Sequence, residues 1–375
     1  MKTIELHENG LDIQFRIREN GVVELADLSS QEVKKAAMEP KEDIYYPAVE
    51  IHRSGTGSLN MHAYKNNINQ SSVDFVYEKH ELKEQDGGKE LEIVMVSPEK
   101  LKAVYHMRLF DGVPAVQTWT EITNEGSEDQ GLTYVSSFIY QGISRGGNKP
   151  YYKKTDIYVP FNSWCCEAQW QKYDAETLNL NGMVVDGFNH QGYGLNRYCY
   201  SGKGTWSTCE YLPMGIAEDR ETGETYIFQV ESSGQWLIEY GSAQGGNLYL
   251  TVSGATEQEH GWYKNLKPGG AAVVKGGLNP AVAALTRYRR KVRRANPDDE
   301  KLNVVFNDYM NCLMGDPTTE RELSIIDKAA ELGCEYYCLD AGWYDDGFWW
   351  DRVGEWKEAS GRFPGGLKEV CDYAH

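Results

Sequence analysis

At Asn279 the chain changes grammar, and that change limits what it can fold into more than any other feature. Up to about residue 278 it reads as strands joined by tight turns. LDIQFRI and VVELADL flank a Glu-Asn-Gly turn at 19 to 21. LKAVYHMRLF and VPAVQTWTEIT flank Asp111-Gly112, an Asp-Gly pair between apolar runs and so a strong hairpin signal. ETYIFQV and QWLIEYG flank Ser232-Ser233-Gly234, a third turn cluster. No stretch of convincing length repeats at helical period, and nothing recurs at fixed spacing. The expected fold is a large antiparallel sandwich of two packed sheets.

Beyond that point helix and strand alternate. Asn279-Pro280 supplies a cap and a first helical residue. AVAALTRYRRKVRR then places Val282, Leu285, Tyr288 and Val292 near helical spacing, and Asn296-Pro297 is expected to stop it. Six of the eight residues from Arg287 to Arg294 are basic. In so acidic a chain they suit a solvated connecting helix better than a patch for an anionic partner. LNVVF is a near-continuous apolar run, as a parallel strand covered on both faces requires. Asp316-Pro317 can open the next helix, with Leu323, Ile326 and Ala330 on one face and Gly333 at its end. CEYYCLD is a second strand, and Leu367, Val370, Cys371 and Ala374 begin a second helix. Two βα units in succession imply a parallel sheet, with a barrel as its closure. Two such strands cannot satisfy their own edges or close an eight-stranded barrel, so the chain is expected to be the first part of something longer.

Charge and cysteine usage narrow the function classes. A formal charge of -18 argues against nucleic acid and against anionic membranes, both of which would repel the surface. MKTIELHENGLDIQF has neither a long apolar core nor a small-residue cleavage site, and no apolar run reaches the length that spans a bilayer. The eight cysteines lack paired CxxC spacing, which suits reduced thiols in a cytoplasm. Neither they nor the eight histidines form a recognisable metal site, and no cofactor is expected. Cys165 and Cys166 are expected to be buried packing residues, and Trp164, Trp170 and Trp206 to be core.

The chemistry gathers in CEYYCLDAGWYDDGFWWD, residues 334 to 351. Parallel barrels place their chemistry at the C-terminal ends of strands, and Asp340 sits at such an end. With a side-chain period of two, Cys338, Tyr336 and Cys334 share its face, whereas Tyr337 and Leu339 face the helical layer. A carboxylate there can hold sugar hydroxyls or act as acid, base or nucleophile. Equally, it can cap the loop that follows. Gly342 permits a sharp turn, after which Trp343, Tyr344, Phe348, Trp349, Trp350 and Trp356 offer flat apolar faces. Rings beside acids suit a sugar, whose C–H face stacks while its hydroxyls need acceptors. Ordinary packing accounts for Trp349 and Trp350 about as well.

FNDYMNCL (306–313), AAELGCEYYCLDAGWY (329–344) and EWKEASGRFPGGLKEV (355–370) resemble, in order and spacing, the motifs of glycoside hydrolase family 36, the α-galactosidases related to raffinose and stachyose synthases. Upstream, GTWSTCEYLPMGIAEDRETGETYIFQVESSGQWLIEYG is similar to the late part of that family's N-terminal β-supersandwich. The resemblance implies a multidomain β plus α/β chain. Residues 1–278 would be the β-supersandwich, 279–300 a linker helix, and 301–375 the first two βα units of a (β/α)8 TIM barrel left incomplete here.

It also implies a retaining exo-glycosidase acting on terminal α-linked galactose, or a galactose-like sugar, in an oligosaccharide. No segment carries the family's Lys-Trp-Asp nucleophile motif, so the nucleophile and acid/base aspartates are expected beyond His375 and this chain alone is expected to be inactive. Asp340 matches the first acid of the family's Asp-Asp pair, which binds substrate hydroxyls. Tyr309 matches the tryptophan that stacks on the sugar, Asp308 an asparagine beside it, and Asn307 and Trp343 complete the substrate-binding set. Ala341 stands where the second acid would be, which points to a modified glycone such as N-acetylgalactosamine, galactosamine or an arabinopyranose, with Asp308 compensating. A raffinose-synthase-like transglycosylase and a non-catalytic carbohydrate-binding or assembly module are the other readings. The family further suggests a homo-oligomer in which one subunit's sandwich edges another's active site.

Overall fold

Alternation of inward and outward side chains builds most of this molecule, seen in a computed structural model that describes residues 1–33, 35–40, 42, 44–57, 65–180, 196–243, 246–269, 271–279 and 282–375. The chain divides into two units, Met1–Val292 and Arg293–His375. In the first, the strands form a three-stranded, a ten-stranded and a six-stranded sheet. All of their described pairings are antiparallel.

Leu101–Phe110 shows why these sequences become strands. Leu101, Ala103, Tyr105, Met107 and Leu109 are buried, while Lys102, Val104 and Arg108 lie between them and are more exposed. Their inward side chains meet Phe15, Phe138, Phe228, Trp236 and Tyr240 in one apolar cluster. Each such ring contributes on the order of 1.5–3 kcal/mol by leaving water. The two large sheets are also tied by polar contacts, because Thr118 Oγ1 donates to the Ser137 carbonyl at 2.7 Å and Thr120 Oγ1 to that of Ser136 at 2.9 Å. Buried polar groups are thereby satisfied.

Two of the three expected hairpins form: Leu11–Ile17 pairs with Val23–Ser30, and Leu101–Phe110 with Val113–Asn124 across Asp111-Gly112. The third does not. Thr225–Gln229 lies in the ten-stranded sheet and Trp236–Ala243 in the six-stranded one. A turn cluster specifies that the chain reverses, not which sheet receives the next strand. Here every residue of Trp236–Ala243 is buried, so the strand belongs inside a sheet, between Arg197–Gly202 and Asn247–Ser253.

The expected helix spans Val282–Val292. Tyr288 anchors it, fully buried beside Val113 and Ala115 and edge-on to Phe110 at 5.0 Å, with its hydroxyl donating to Glu231. The neighbouring basic residues Arg287, Arg289, Arg290 and Lys291 are exposed. Asn296-Pro297 starts a helix rather than stopping one: the Asn296 side chain accepts from the Asp298 N–H and Pro297 opens Pro297–Lys301. The other expected cap, Asn279-Pro280, involves a proline outside the described residues. No described helix is long and apolar enough to cross a membrane.

Cys165 and Cys166 are exposed rather than buried. Ser163 pairs with Cys166 across a two-residue turn, and a turn tip has no second sheet above it. Trp164 on the same tip is 80% exposed and Trp206 is 67% exposed, so neither is core. Both thiols are expected to react with maleimide within minutes, ahead of Cys199, which is partly buried and whose thiol burial pushes up. Protection of the pair, read by mass spectrometry of labelled peptides, would contradict this tip.

In the second unit Val305–Asn307 and Tyr336–Cys338 pair in parallel, with Thr319–Glu331 as the crossover helix and Leu367–Ala374 following. Thr318 caps the crossover by accepting from the Arg321 N–H, and Gly333 leaves it at φ 82°. Ile326, Phe363 and Val370 form the core, with Tyr337, Leu339, Trp343 and Leu367 packed on it. The buried side of the crossover helix is Glu322, Ile326 and Ala329, turned by one position from the expected Leu323, Ile326 and Ala330. An acid faces inward because Tyr337 supplies it with a hydroxyl.

Candidate functional site

The two parallel strands end side by side, and what they present there follows from their register. Asn307 is opposite Cys338, so the residues just past each ladder are brought together. Asn307 Nδ2 donates to Asp340 Oδ2 at 2.8 Å, while Asn307 Oδ1 accepts from the Tyr309 N–H at 2.9 Å. Both ends of the amide are used, which fixes its orientation. Asp340 and Asn307 are exposed, and Asp340 Oδ1 has no donor among the described residues. It is an acceptor open to the outside.

Asp308 behaves differently. It is 1% exposed, and its Oδ1 accepts the Asp340 N–H at 2.8 Å while its own N–H reaches the Cys338 carbonyl at 3.2 Å. Its carboxylate therefore acts on the backbone of the strand end. Burial pushes it above the usual carboxylate range, and the charge of Asp340 adds to this. Behind it Glu322, fully buried, accepts from the Tyr337 hydroxyl at 2.5 Å. Burial first, and then the charge of Asp308 and its hydrogen bond, carry Glu322 up to about 7 against the lowering effect of the Tyr337 hydroxyl. The Tyr337 hydroxyl is pushed up as well, by burial and by its bond to Glu322.

The aromatic residues divide between two roles. Tyr309, partly buried, stands edge-on to Trp349 at 5.5 Å, and Trp349 to Trp350 at 4.8 Å. Trp343 packs on the helical core and stands edge-on to Tyr344 at 5.3 Å. Gly342 makes the turn between Asp340 and these rings at φ 98°, where a Cβ would lie 2.2 Å from the Gly315 carbonyl oxygen. Only glycine fits.

The structure thus gathers Asn307, Asp308, Tyr309 and Asp340 at one strand end and sends Trp343 into packing. Two residues with a part in this region carried no weight in the sequence. Glu322 was legible in principle, as an acid at i−4 to Ile326 on an otherwise apolar helical face. Arg362 was not: a lone arginine before Phe363-Pro364 has no periodicity to mark it. Yet it pins the long loop, pairing with Asp316 Oδ1 at 2.5 Å, donating to the Gly347 carbonyl at 2.8 Å and to the Asp345 carbonyl.

Chemically this is an acceptor-rich edge beside ring faces. It suits a neutral, hydroxyl-bearing ligand and would repel an anion. Among the described residues the one grouping with metal-ligand spacing is elsewhere, at Glu90, Glu92 and His106 in the first unit. There His106 Nδ1 already meets Glu90 at 2.9 Å and Lys83 meets Glu92 at 2.6 Å.

No family model matches the sequence. The α-galactosidase Mel36A of Lactobacillus acidophilus is 27% identical over 221 residues, covering 54% of this chain and 29% of that protein. Alpha-galactosidase 1 of Pediococcus pentosaceus is 27% identical over 167 residues, covering 41% of this chain and 22% of its own length. Among solved structures, the GH36 α-galactosidase AgaA of Geobacillus stearothermophilus in complex with stachyose superposes with a TM-score of 0.76 at 16% identity, over 100% of this chain and 55% of AgaA. The resemblance to glycoside hydrolase family 36 holds: the mostly β fold, with several antiparallel sheets and few helices, is that of these α-galactosidases. The chain spans about half the length of the solved relative.

Proposed function

We propose that this chain, built on the fold of the GH36 α-galactosidases, belongs to a retaining exo-glycosidase that removes terminal α-linked galactose, or a galactose-like sugar, from oligosaccharides. The observation that carries this is the Asn307–Asp340 pair, 2.8 Å apart at the ends of two adjacent parallel strands, with one carboxylate oxygen open. Residues 1–278 act as the β-supersandwich, 279–300 as a linker, and 301–375 as the first two βα units of a (β/α)8 barrel. Strand–helix–strand–helix order with parallel pairing supports this assignment.

Asp340 accepts hydrogen bonds from sugar hydroxyls, Asn307 holds that carboxylate, and Tyr309 and Trp343 supply apolar surface, Trp343 from its packed position. Asp308 supports from behind. Ala341 leaves one hydroxyl of the glycone without a charged acceptor. This favours a glycone that is galactose-like but modified, such as N-acetylgalactosamine, galactosamine or an arabinopyranose, because a site lacking a polar partner discriminates less for it. The catalytic nucleophile and acid/base are not among these residues. Eight free thiols support a cytoplasmic setting, and exposed Trp164 and Trp206 support a homo-oligomer.

The test is the DNA following codon 375, with expression of the complete reading frame. A Lys-Trp-Asp segment and turnover of nitrophenyl α-galactoside or its 2-acetamido analogue are expected, while the 375-residue protein shows none. A stop codon directly after His375 would favour the carbohydrate-binding module. Product forming on an added sugar rather than on water would favour the transglycosylase.

A further inference from the structure

The crossover helix turns one acid into the protein, and the groups around it leave its second oxygen with a single kind of partner. Glu322 and Asp308 are 0% and 1% exposed. Glu322 Oε2 takes the Tyr337 hydroxyl and Asp308 Oδ1 takes the Asp340 N–H. The other oxygens, Glu322 Oε1 and Asp308 Oδ2, are buried without any N–H or O–H donor. The two carboxyls are within hydrogen-bonding reach of each other. Ionised carboxylates are acceptors only, so a contact between two of them needs a proton. Leaving both oxygens unmatched in the interior would give up their hydration with nothing in return.

We propose that Glu322 carries this proton and donates it to Asp308, and that the resulting acid–carboxylate pair is a positioning element that holds the Asp340 main chain at the strand end. Its bearing on sugar binding rests on the function proposed above. The proton sharing does not.

The surroundings agree. Tyr337 from the second strand, Asp340 and Cys338 at its end, and Cys312 from the turn after the first strand are the titratable groups that act on this cluster. All are neutral or acidic, so among these described residues no cation offsets a second negative charge. Burial and Asp308 carry Glu322 from 4.5 to about 7. Between those values the folded unit binds more protons than the unfolded chain, so its stability falls as pH rises through that window. Above it two like charges face each other, and the grip of Asp308 on the Asp340 amide loosens.

The experiment uses the 375-residue chain, carboxyl-13C-labelled at glutamate and 15N-labelled at aspartate. One glutamate carboxyl is expected to titrate near 7, away from the bulk near 4.3, and to be missing in Glu322→Gln. The Asp340 amide resonance should follow the same midpoint in the wild type. In Glu322→Gln it should be flat across it, because the side-chain amide donates to Asp308 and accepts from Tyr337 at every pH. Wild-type titration decides the matter alone if the variant fails to fold. A Glu322 midpoint below about 5, or an Asp340 amide that ignores it, overturns the proposal. In the complete reading-frame product, KM for the nitrophenyl glycoside should rise above pH 7 in the wild type and not in Glu322→Gln, with kcat little changed. A complete absence of turnover, with the carboxyl titrating as described, would refute the sugar reading and leave the pair standing.

Discussion

Asp340→Ala, made in the complete reading-frame product, is expected to lower kcat/KM for the nitrophenyl glycoside by about 100-fold, on the function proposed here. The magnitude follows from what is removed. Hydrogen bonds to a charged group contribute about 1.5–3 kcal/mol each, and roughly 1.4 kcal/mol is a factor of ten. The open oxygen offers at least one such bond to a sugar hydroxyl, and the Asn307 amide would lose its acceptor as well. Asp340→Asn separates the two contributions. It keeps an oxygen for Asn307 but no charge, so a smaller loss of about tenfold is expected. Most of the change should appear in KM, since hydroxyl contacts are present before the bond breaks. Unchanged steady-state kinetics in both variants, with native circular dichroism, would remove Asp340 from the binding site.

Glu24→Ala should cost about 3–5 kcal/mol of stability. Glu24 is fully buried on Val23–Ser30 and faces Arg16, 3% exposed, with its Oε2 2.7 Å from Arg16 Nε and 2.6 Å from Nη2. Oε1 accepts from Arg18 Nη1 and from the Tyr46 N–H, both at 3.1 Å. Truncation therefore leaves a buried guanidinium without its counter-charge and a backbone donor without its acceptor. The charge is the larger loss. Replacing both partners, as in Glu24→Leu with Arg16→Met, should recover most of the deficit, because the desolvation of both ions is removed together. Urea melts followed by tryptophan fluorescence would measure this. A deficit under about 1 kcal/mol for Glu24→Ala would show that water reaches the site.

How much of this was legible in the sequence depended on how local the cause was. Asp111-Gly112 produced its hairpin because a turn of four residues is decided by those residues. Ser232-Ser233-Gly234 carried a similar signal and joined two different sheets, since burial on both faces of Trp236–Ala243 is a property of neighbours far along the chain. The crossover helix was visible in its period, but its facing slipped by one position, because what holds Glu322 inward is Tyr337 on the next strand. Cys165 and Cys166 were expected to be buried packing residues, and a turn tip placed them outside.

The same division holds at the site. Residue order alone put Asp340 past the end of an apolar strand and Gly342 after it, because a strand's end and a left-handed turn are written in the residues that make them. Only the folded chain decided that Asn307, thirty-three positions earlier, would hold that carboxylate, that Asp308 would turn inward to the Asp340 amide, and that Glu322 would stand behind it. Those contacts come from the register of two strands and the rotation of one helix. Both are fixed by packing over the whole unit, which no short window of sequence contains.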